Sequence, residues 1–190
     1  MLDKSAQAGQ HSYKARGQDL YETPTVAIEA LLRVERIPER VWEPACGPGS
    51  IVAALKAAGH KVMASDVRDY GWGHELTDFL KVGALTNKFY AVVTNPPYRF
   101  AAEFIRKAVI ELECPYVAML LRLAFLESAS RTDILDVYRP ARIHVFKKRL
   151  PMMHRAGWKG KKASSAIAFA WFVWEGRMHG SKTIIDRIDW

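Results

Sequence analysis

The stretch RVWEPACGPGSIVAALKAAGHKVMASDV, residues 40–67, contains two apolar segments joined by a glycine-rich loop and a helix-like run. The segments RVWEP and KVMASDV have the composition of short strands, and SIVAALKAAGH is rich in helix-forming residues up to Gly59. A strand, a crossover helix and a second strand form the repeating unit of a parallel sheet. The stretch therefore predicts an α/β fold.

The same alternation continues on both sides of this stretch. Before it, TPTVAIEALLRVE is predicted to be a helix with Thr23 as N-cap and Pro24 at the first helical position. After it come KFYAVVTN (strand), RFAAEFIRKAVIEL (helix), PYVAMLLR (strand), AFLESASRTDILDVY (helix), and the strands ARIHVFKK and AIAFAWFVW. No helix separates the last two strands, so we expect them to pair antiparallel at one edge. The predicted fold class is a doubly wound, mostly parallel α/β sheet with an antiparallel C-terminal edge strand.

Length and composition favour one domain. The 190 residues are 49% hydrophobic, and the polar segment 1–18 reads as a flexible arm without a secretion signal. Residues 19–190 are predicted to form a single domain that includes a basic loop at 149–165. The apolar run from Ala163 to Trp174 is too short to span a membrane as a helix. We therefore expect no membrane partner. The two cysteines and six histidines show no ligand spacing, so we expect no bound metal. The few cysteines and the lack of a secretion signal predict a cytoplasmic location. No oligomeric state is predicted.

Positive charge is concentrated in one segment. The net charge is +8, and the window from Val137 to Trp174 holds nine basic residues and no acidic one. The rest of the chain has 19 basic and 20 acidic residues, so the entire excess lies in this window. Such a one-sided segment favours a polyanionic partner, and we predict nucleic acid. The residues expected to contact it are Lys147, Lys148, Arg149, Arg155, Lys159, Lys161 and Lys162.

Polar and glycine-containing motifs follow successive predicted strands. In doubly wound sheets ligands bind at these carboxyl ends. Gly47 and Gly49 allow the backbone of the first loop to approach a ligand closely. Glu43 before them suits a cationic group, such as the amino-acid part of S-adenosylmethionine, and Asp66 is placed to accept hydrogen bonds from ribose hydroxyls. The next glycine of a dinucleotide motif is replaced by Val52, which weakens an NAD assignment.

The set YETP…EPACGPG…SDV…TDFL…TNPPY resembles the DNA adenine-N6 methyltransferase superfamily, in the motif order of its small γ-like and phage-type members. The resemblance covers about residues 21–149, and NPPY after a strand is its most specific element. It implies a Rossmann-like class I methyltransferase domain that uses S-adenosylmethionine and acts on DNA in preference to RNA. By this resemblance the cofactor site comprises Tyr21, Thr23, Pro24, Glu43, Gly47, Gly49, Asp66, Asp78 and Phe79. The same resemblance implies that the catalytic residues around the target base are Asn95, Pro96, Pro97 and Tyr98.

The chemistry of an exocyclic amine explains the Asn-Pro-Pro-Tyr segment. The nitrogen lone pair is delocalised into the base, so the amine is a poor nucleophile. Acceptors aimed at its N–H groups favour a pyramidal nitrogen, and the Asn95 side-chain carbonyl and Pro96 main-chain carbonyl are candidates. The prolines hold these carbonyls rigidly and offer no N–H donor. Tyr98 would stack on a base that is unpaired or flipped out.

Other readings of the same segment remain open. Methyltransferases that act on RNA adenine, on guanine N2 in RNA or on protein glutamine also resemble this chain. Release-factor glutamine methyltransferases usually carry a helical domain before the glycine motif, and here Gly47 comes too early for one. A methyltransferase-like subunit that binds nucleic acid without catalysis is a further alternative. The short spacing between motifs leaves no room for a target-recognition domain, so low sequence specificity is expected.

Overall fold

The computed structural model describes residues 22–83, 91–152, 166–176 and 182–190. Eight strands form one sheet in the order β3-β2-β1-β4-β5-β7-β6-β8. Their bounds are β1 Arg40–Glu43, β2 Lys61–Asp66, β3 Glu75–Leu76, β4 Ala91–Thr94, β5 Tyr116–Arg122, β6 Arg142–Phe146, β7 Phe169–Glu175 and β8 Ile184–Ile188. Strands β3, β2, β1, β4 and β5 pair in parallel, whereas β7 runs antiparallel to both β5 and β6.

Helical segments cover both faces of the sheet. The α-helices are α1 Thr25–Val34, α2 Ser50–Ala57 and α3 Ala101–Ile105. A 3-10 turn at Tyr98–Phe100 precedes α3, and π-helical turns at Arg106–Glu111 follow it. Further short turns lie at Phe79–Lys81, Leu123–Leu126, Ala129–Arg131 and Asp133–Val137.

Two apolar clusters lie on opposite faces of the sheet. On one face, Ile28 and Leu31 of α1 and Leu55 of α2 pack with Trp171. On the other face, Phe104 and Ile105 of α3 pack with Phe79, Val117 and Phe172. Trp171 and Phe172 are successive residues of β7, and they enter different clusters because side chains alternate across a strand. Each fully buried side chain of this size contributes roughly 1.5–3 kcal/mol, so both helical layers are held mainly by apolar burial.

The predicted doubly wound, mostly parallel sheet with an antiparallel C-terminal pair is confirmed. The sequence-based prediction put that pair at an edge, but β7 is inserted between β5 and β6. The edge is β8, which was not predicted and which pairs in parallel with β6. The predicted helix AFLESASRTDILDVY forms separate 3-10 and π-helical turns instead. None of the described helices is long and apolar enough to cross a membrane.

A buried ion network attaches the end of α1 to the sheet. The Glu35 side chain is only 4% exposed and accepts hydrogen bonds from Arg142 Nε at 2.6 Å and Nη2 at 2.9 Å. His144 Nε2 lies 2.6 Å from Glu35 Oε1, and Tyr116 Oη donates to Oε2 at 3.3 Å. Arg142 also contacts Glu175 at 2.6 Å. These contacts join the residue after α1 to β5, β6 and β7.

Candidate active site

A cavity of about 270 Å³ lies where the loops after β1, β2 and β4 meet. Nine of the residues predicted for the cofactor and target sites line it: Thr23, Gly47, Asp66, Asp78, Phe79, Asn95, Pro96, Pro97 and Tyr98. Pro24, Glu43 and Gly49 do not line it, and Tyr21 lies outside the described residues. The parallel arrangement of β1, β2 and β4 brings these sequence-distant loops to one edge of the sheet.

The glycine loop after β1 adopts a backbone that requires glycine. Gly47 and Gly49 have φ of 49° and 95°, and Gly49 is the N-cap residue of α2. Trp72 packs on this loop: its Nε1 donates to the Gly47 carbonyl at 2.9 Å. A Cβ on Gly49 would lie 3.3 Å from Trp72 Cζ2. Sequence reasoning missed Trp72, although its position between Gly71 and Gly73 marks a tightly turned loop.

Gly49→Ala and Gly59→Ala form a matched pair that tests the ligand-binding role of this loop. Both glycines have nearly the same φ, 95° and 93°, but no atom of the described residues lies within 4 Å of a Cβ placed on Gly59. Each substitution is expected to cost about 1–2 kcal/mol of stability from the left-handed backbone. Only Gly49→Ala should also weaken binding of S-adenosylmethionine, because it shifts Trp72 and the loop. Calorimetric titration of both folded variants with the cofactor checks this, and equal affinities would contradict it.

Glu43 lies beneath the glycine loop and is fully buried. Its Oε1 accepts hydrogen bonds from Thr94 Oγ1 at 2.6 Å and from the Ala45 amide at 3.2 Å. Within the described residues, Oε2 has no hydrogen-bond partner. Burial raises the pKa of Glu43 to about 8 despite these two hydrogen bonds. The carboxyl group is therefore largely protonated at neutral pH, and it links β1 to β4 directly under the cavity.

The two aspartates at the cavity bind backbone amides. Asp66 Oδ2 accepts from Gly47 N at 3.0 Å and Oδ1 from Arg68 N at 3.1 Å. Asp78 caps the turn that follows it by accepting from Leu80 N at 3.1 Å. Phe79 is 1% exposed and packs edge-on against Trp42, with ring centroids 5.0 Å apart. These contacts fix one carboxylate beside the glycine loop and the other beside an apolar wall.

The Asn-Pro-Pro-Tyr segment follows β4 directly and faces the segment before α1. Asn95 Nδ2 donates to Thr23 Oγ1 at 3.0 Å, and Thr23 is only 7% exposed. Thr23 was predicted to cap α1, but Pro24 occupies the N-cap position without a side-chain cap. The Thr23 hydroxyl instead binds the NH2 end of the Asn95 amide, which sets the direction of the carbonyl oxygen. Glu22 Oε1 accepts from Ser50 Oγ at 3.0 Å and ties this N-terminal segment to α2.

Tyr98 contacts two residues that sequence reasoning missed. The Phe169 ring lies 5.8 Å from the Tyr98 ring at an interplanar angle of 39°. Arg122 places its guanidinium carbon 4.6 Å from the centroid of the Tyr98 ring. Arg122 and Phe169 are paired across β5 and β7. This pairing is long-range, so no local sequence pattern signals the contact with Tyr98.

Three residues of the predicted basic surface are described, and they differ in their ion pairs. Lys147, Lys148 and Arg149 follow β6 and are exposed. Lys147 Nζ forms an ion pair with Asp189 at 2.6 Å, whereas no ion pair with another described residue involves Lys148 or Arg149. Arg155, Lys159, Lys161 and Lys162 lie outside the described residues.

Other side-chain chemistry near the cavity is limited. Burial raises the pKa of the Cys46 thiol to about 12, so this cavity-lining cysteine is not an activated nucleophile. In the part of the chain that the structure describes, no group of three or more His, Cys, Asp or Glu side chains is arranged to hold a metal ion.

No family model and no curated protein matches the sequence, but the fold matches solved structures. A protein from Pyrococcus horikoshii assigned as an RNA methyltransferase aligns with a TM-score of 0.59 at 15% identity, over 82% of this chain and 87% of that one. A protein from Vibrio vulnificus YJ016 assigned as the modification subunit of a type I restriction enzyme aligns with a TM-score of 0.58 at 12% identity, over 86% of this chain. A protein from Listeria monocytogenes assigned as a class I S-adenosylmethionine-dependent methyltransferase gives 0.54 at 14% identity, over 84% of this chain.

This chain spans 45% of the Vibrio protein and 62% of the Listeria protein. At 12–15% identity the likeness establishes the fold, a Rossmann-like sheet shared with class I methyltransferases.

Proposed function

We propose that this protein transfers a methyl group from S-adenosylmethionine to the exocyclic N6 amine of adenine in DNA, with low sequence specificity. The observation that carries the proposal is the shared cavity. Asn95, Pro96, Pro97 and Tyr98 line the same space of about 270 Å³ as Gly47, Asp66 and Asp78. A methyl donor and an amine acceptor must meet in one enclosed site, and this cavity has elements suited to each.

The residues present fit S-adenosylmethionine. The glycine loop allows close approach of a ligand at Gly47, and the Asp66 carboxylate lies beside it for ribose hydroxyls. Glu43 does not line the cavity and is largely protonated, so its part is to hold β1 against β4 beneath this loop through its hydrogen bond with Thr94. Asp78 and the apolar Phe79 suit an adenine ring. When bound, the cofactor supplies an electrophilic methyl group on a sulfonium.

The protein's own contribution is to orient the amine. The Thr23 hydroxyl holds the NH2 end of the Asn95 amide, so the carbonyl end serves as an acceptor for one amine N–H. Pro96 is buried, and its main-chain carbonyl is held between its own ring and that of Pro97. Two rigid acceptors favour the pyramidal amine whose lone pair attacks the methyl group, and they need no reorganisation during the reaction.

Thr23→Val tests the orienting role. Loss of one hydrogen bond, worth about 0.5–1.5 kcal/mol, is expected to lower kcat by roughly 2- to 12-fold with little change in cofactor affinity. Thr25→Val, at the exposed first residue of α1, is the matched control and should leave kcat unchanged. Steady-state kinetics and cofactor titration separate the two roles. A loss of cofactor affinity with unchanged kcat would assign Thr23 to the cofactor rather than to Asn95.

The experiment that tests the proposed function is mass spectrometry of nucleosides after incubation with methyl-labelled cofactor. Unmethylated DNA and RNA of matched sequence are supplied separately. We expect label in N6-methyl-2′-deoxyadenosine from DNA, spread over many sequence contexts. Label confined to RNA would favour an RNA methyltransferase. Label in neither nucleic acid would contradict the proposal that the protein is a nucleic-acid methyltransferase. The fold match to a protein assigned as an RNA methyltransferase makes the RNA arm necessary.

A further inference from the structure

Arg122, the last residue of β5, stands beside the proposed catalytic segment. Its guanidinium carbon lies 4.6 Å from the centroid of the Tyr98 ring. Phe169, its cross-strand partner on β7, contacts the same ring. The site residues Asn95 and Tyr98 come from the loop after β4, which is the parallel neighbour of β5. Arg122 is therefore fixed relative to the target side of the cavity by the sheet itself.

The guanidinium of Arg122 has a cation–π contact but no anionic partner among the described residues. No hydrogen bond or ion pair joins it to another described residue, and its Nε is buried without a hydrogen-bond partner. Arg131 provides a contrast: it lies 4.1 Å from the centroid of Phe125 but also donates to the Phe125 carbonyl at 2.6 Å. Arg142 is matched by the carboxylates of Glu35 and Glu175. A partly buried guanidinium whose donors are unmatched by the described residues is suited to an anion from outside.

The surroundings of Arg122 favour a polyanion. Arg99 follows Tyr98 in the chain, is exposed and lines the cavity. Lys148 and Arg149 are exposed after β6, which lies two strands from β5 and hence about 10 Å away at the same edge. Arg122 does not line the cavity although Tyr98 does. A base that stacks on Tyr98 from the cavity would thus have its sugar-phosphate backbone outside, on the side of Arg122, Lys148 and Arg149.

We propose that Arg122 binds a backbone phosphate next to the target nucleotide while it remains stacked on Tyr98. This inference rests on the proposed function and adds to it a phosphate contact within the target site. The stacked guanidinium couples the position of the phosphate to the position of the Tyr98 ring. Arg122 is a positioning residue, so its loss raises KM for the nucleic acid more than it lowers kcat.

The test compares Arg122→Gln and Arg122→Lys with Arg131→Gln, a control that removes another arginine stacked on an aromatic ring. Binding of a fluorescent single-stranded oligonucleotide that contains adenine is measured over a salt series, and cofactor affinity is measured separately. For Arg122→Gln we expect an affinity about tenfold lower or more and a salt slope smaller by about 0.7, equivalent to one phosphate. Arg122→Lys should keep the slope because it keeps the charge. Arg131→Gln should keep both slope and affinity.

The outcomes separate the inference from the proposed function. If wild type binds and methylates the oligonucleotide but Arg122→Gln keeps the full salt slope, the phosphate role is wrong and the proposed function stands. If Arg122→Gln and Arg122→Lys lose the slope equally, Arg122 acts through packing on Tyr98, which also overturns the inference. A wild-type protein that neither binds nor methylates nucleic acid would overturn both. Melting temperatures identify variants with altered folding; if Arg122→Gln does not fold, Arg122→Met takes its place, with the same expected loss of affinity and salt slope.

Discussion

Asn95→Ala is expected to lower the rate of methyl transfer by about 10²–10³-fold while cofactor affinity stays nearly unchanged. The expected size is that for loss of one preorganised hydrogen-bonding group at the reacting atoms, roughly 2.7–4 kcal/mol. Asn95 lines the cavity and donates to Thr23, so its amide is held before the substrate arrives. Single-turnover methylation at saturating nucleic acid measures the rate, and calorimetry measures cofactor affinity.

Asn95→Asp separates the acceptor from the hydrogen bond that orients it. A carboxylate keeps an acceptor oxygen for the amine, and the Thr23 hydroxyl is able to donate to its other oxygen. We therefore expect Asn95→Asp to retain clearly more activity than Asn95→Ala. If Asn95→Ala kept more than about a tenth of the wild-type rate, corresponding to only ~1.4 kcal/mol, the acceptor role would be incorrect.

Local patterns in the sequence account for most of the fold. The strand–loop–helix–strand unit at residues 40–67 depends on composition and on glycine positions, and the structure has β1, α2 and β2 there. The position of β7 between β5 and β6 is set by pairing between residues far apart in the chain, such as Arg122 with Phe169. Strand β8 has the sequence IIDRI, which lacks the alternation of apolar and polar residues that identifies a half-buried strand, and only its Ile188 is buried.

In the candidate site, too, local features were predictable from the sequence and long-range contacts were not. The glycines and the Asn-Pro-Pro-Tyr segment were recognisable because their backbone requirements are local. Trp72 and Arg122 were not, because each acts on a residue more than twenty positions away: Trp72 on Gly47 and Arg122 on Tyr98. Glu43 was expected to face the ligand, yet the short strand β1 buries its side chain against Thr94.

Ion pairs determine which basic side chains are available to an anionic partner, and the sequence alone does not show them. Arg142 belongs to the basic window, but its guanidinium is bound by Glu35 and Glu175. Lys147 is paired with Asp189. Arg122 lies outside the window and has no acidic partner among the described residues. A count of basic residues therefore predicts the sign of the partner's charge, whereas the ion pairs determine which basic side chains are available to bind that partner.

Glu35→Gln is expected to lower the free energy of unfolding by about 3 kcal/mol. Removing one member of a buried ion pair typically costs 3–5 kcal/mol because the other charge loses its partner. We expect the lower end of this range of free energies because Arg142 is one-quarter exposed and keeps its contact with Glu175. Urea unfolding at neutral pH measures the change. Glu39→Gln is the matched control: Glu39 pairs with Lys61, both side chains are mostly exposed, and little change is expected.

The pH dependence provides a second, independent check on Glu35. Burial raises the pKa of its carboxyl group, but hydrogen bonds and charge from His144 and Arg142 outweigh burial and lower the pKa from 4.5 to about 2. Because the folded pKa is the lower one, the carboxylate stabilises the protein above pH 4.5, and this contribution falls as the pH drops from 4.5 towards 2. The stability difference between wild type and Glu35→Gln should therefore shrink over that window. A difference that stays constant from neutral pH to the acid limit would show that Gln disturbs packing and that the charge of Glu35 contributes little.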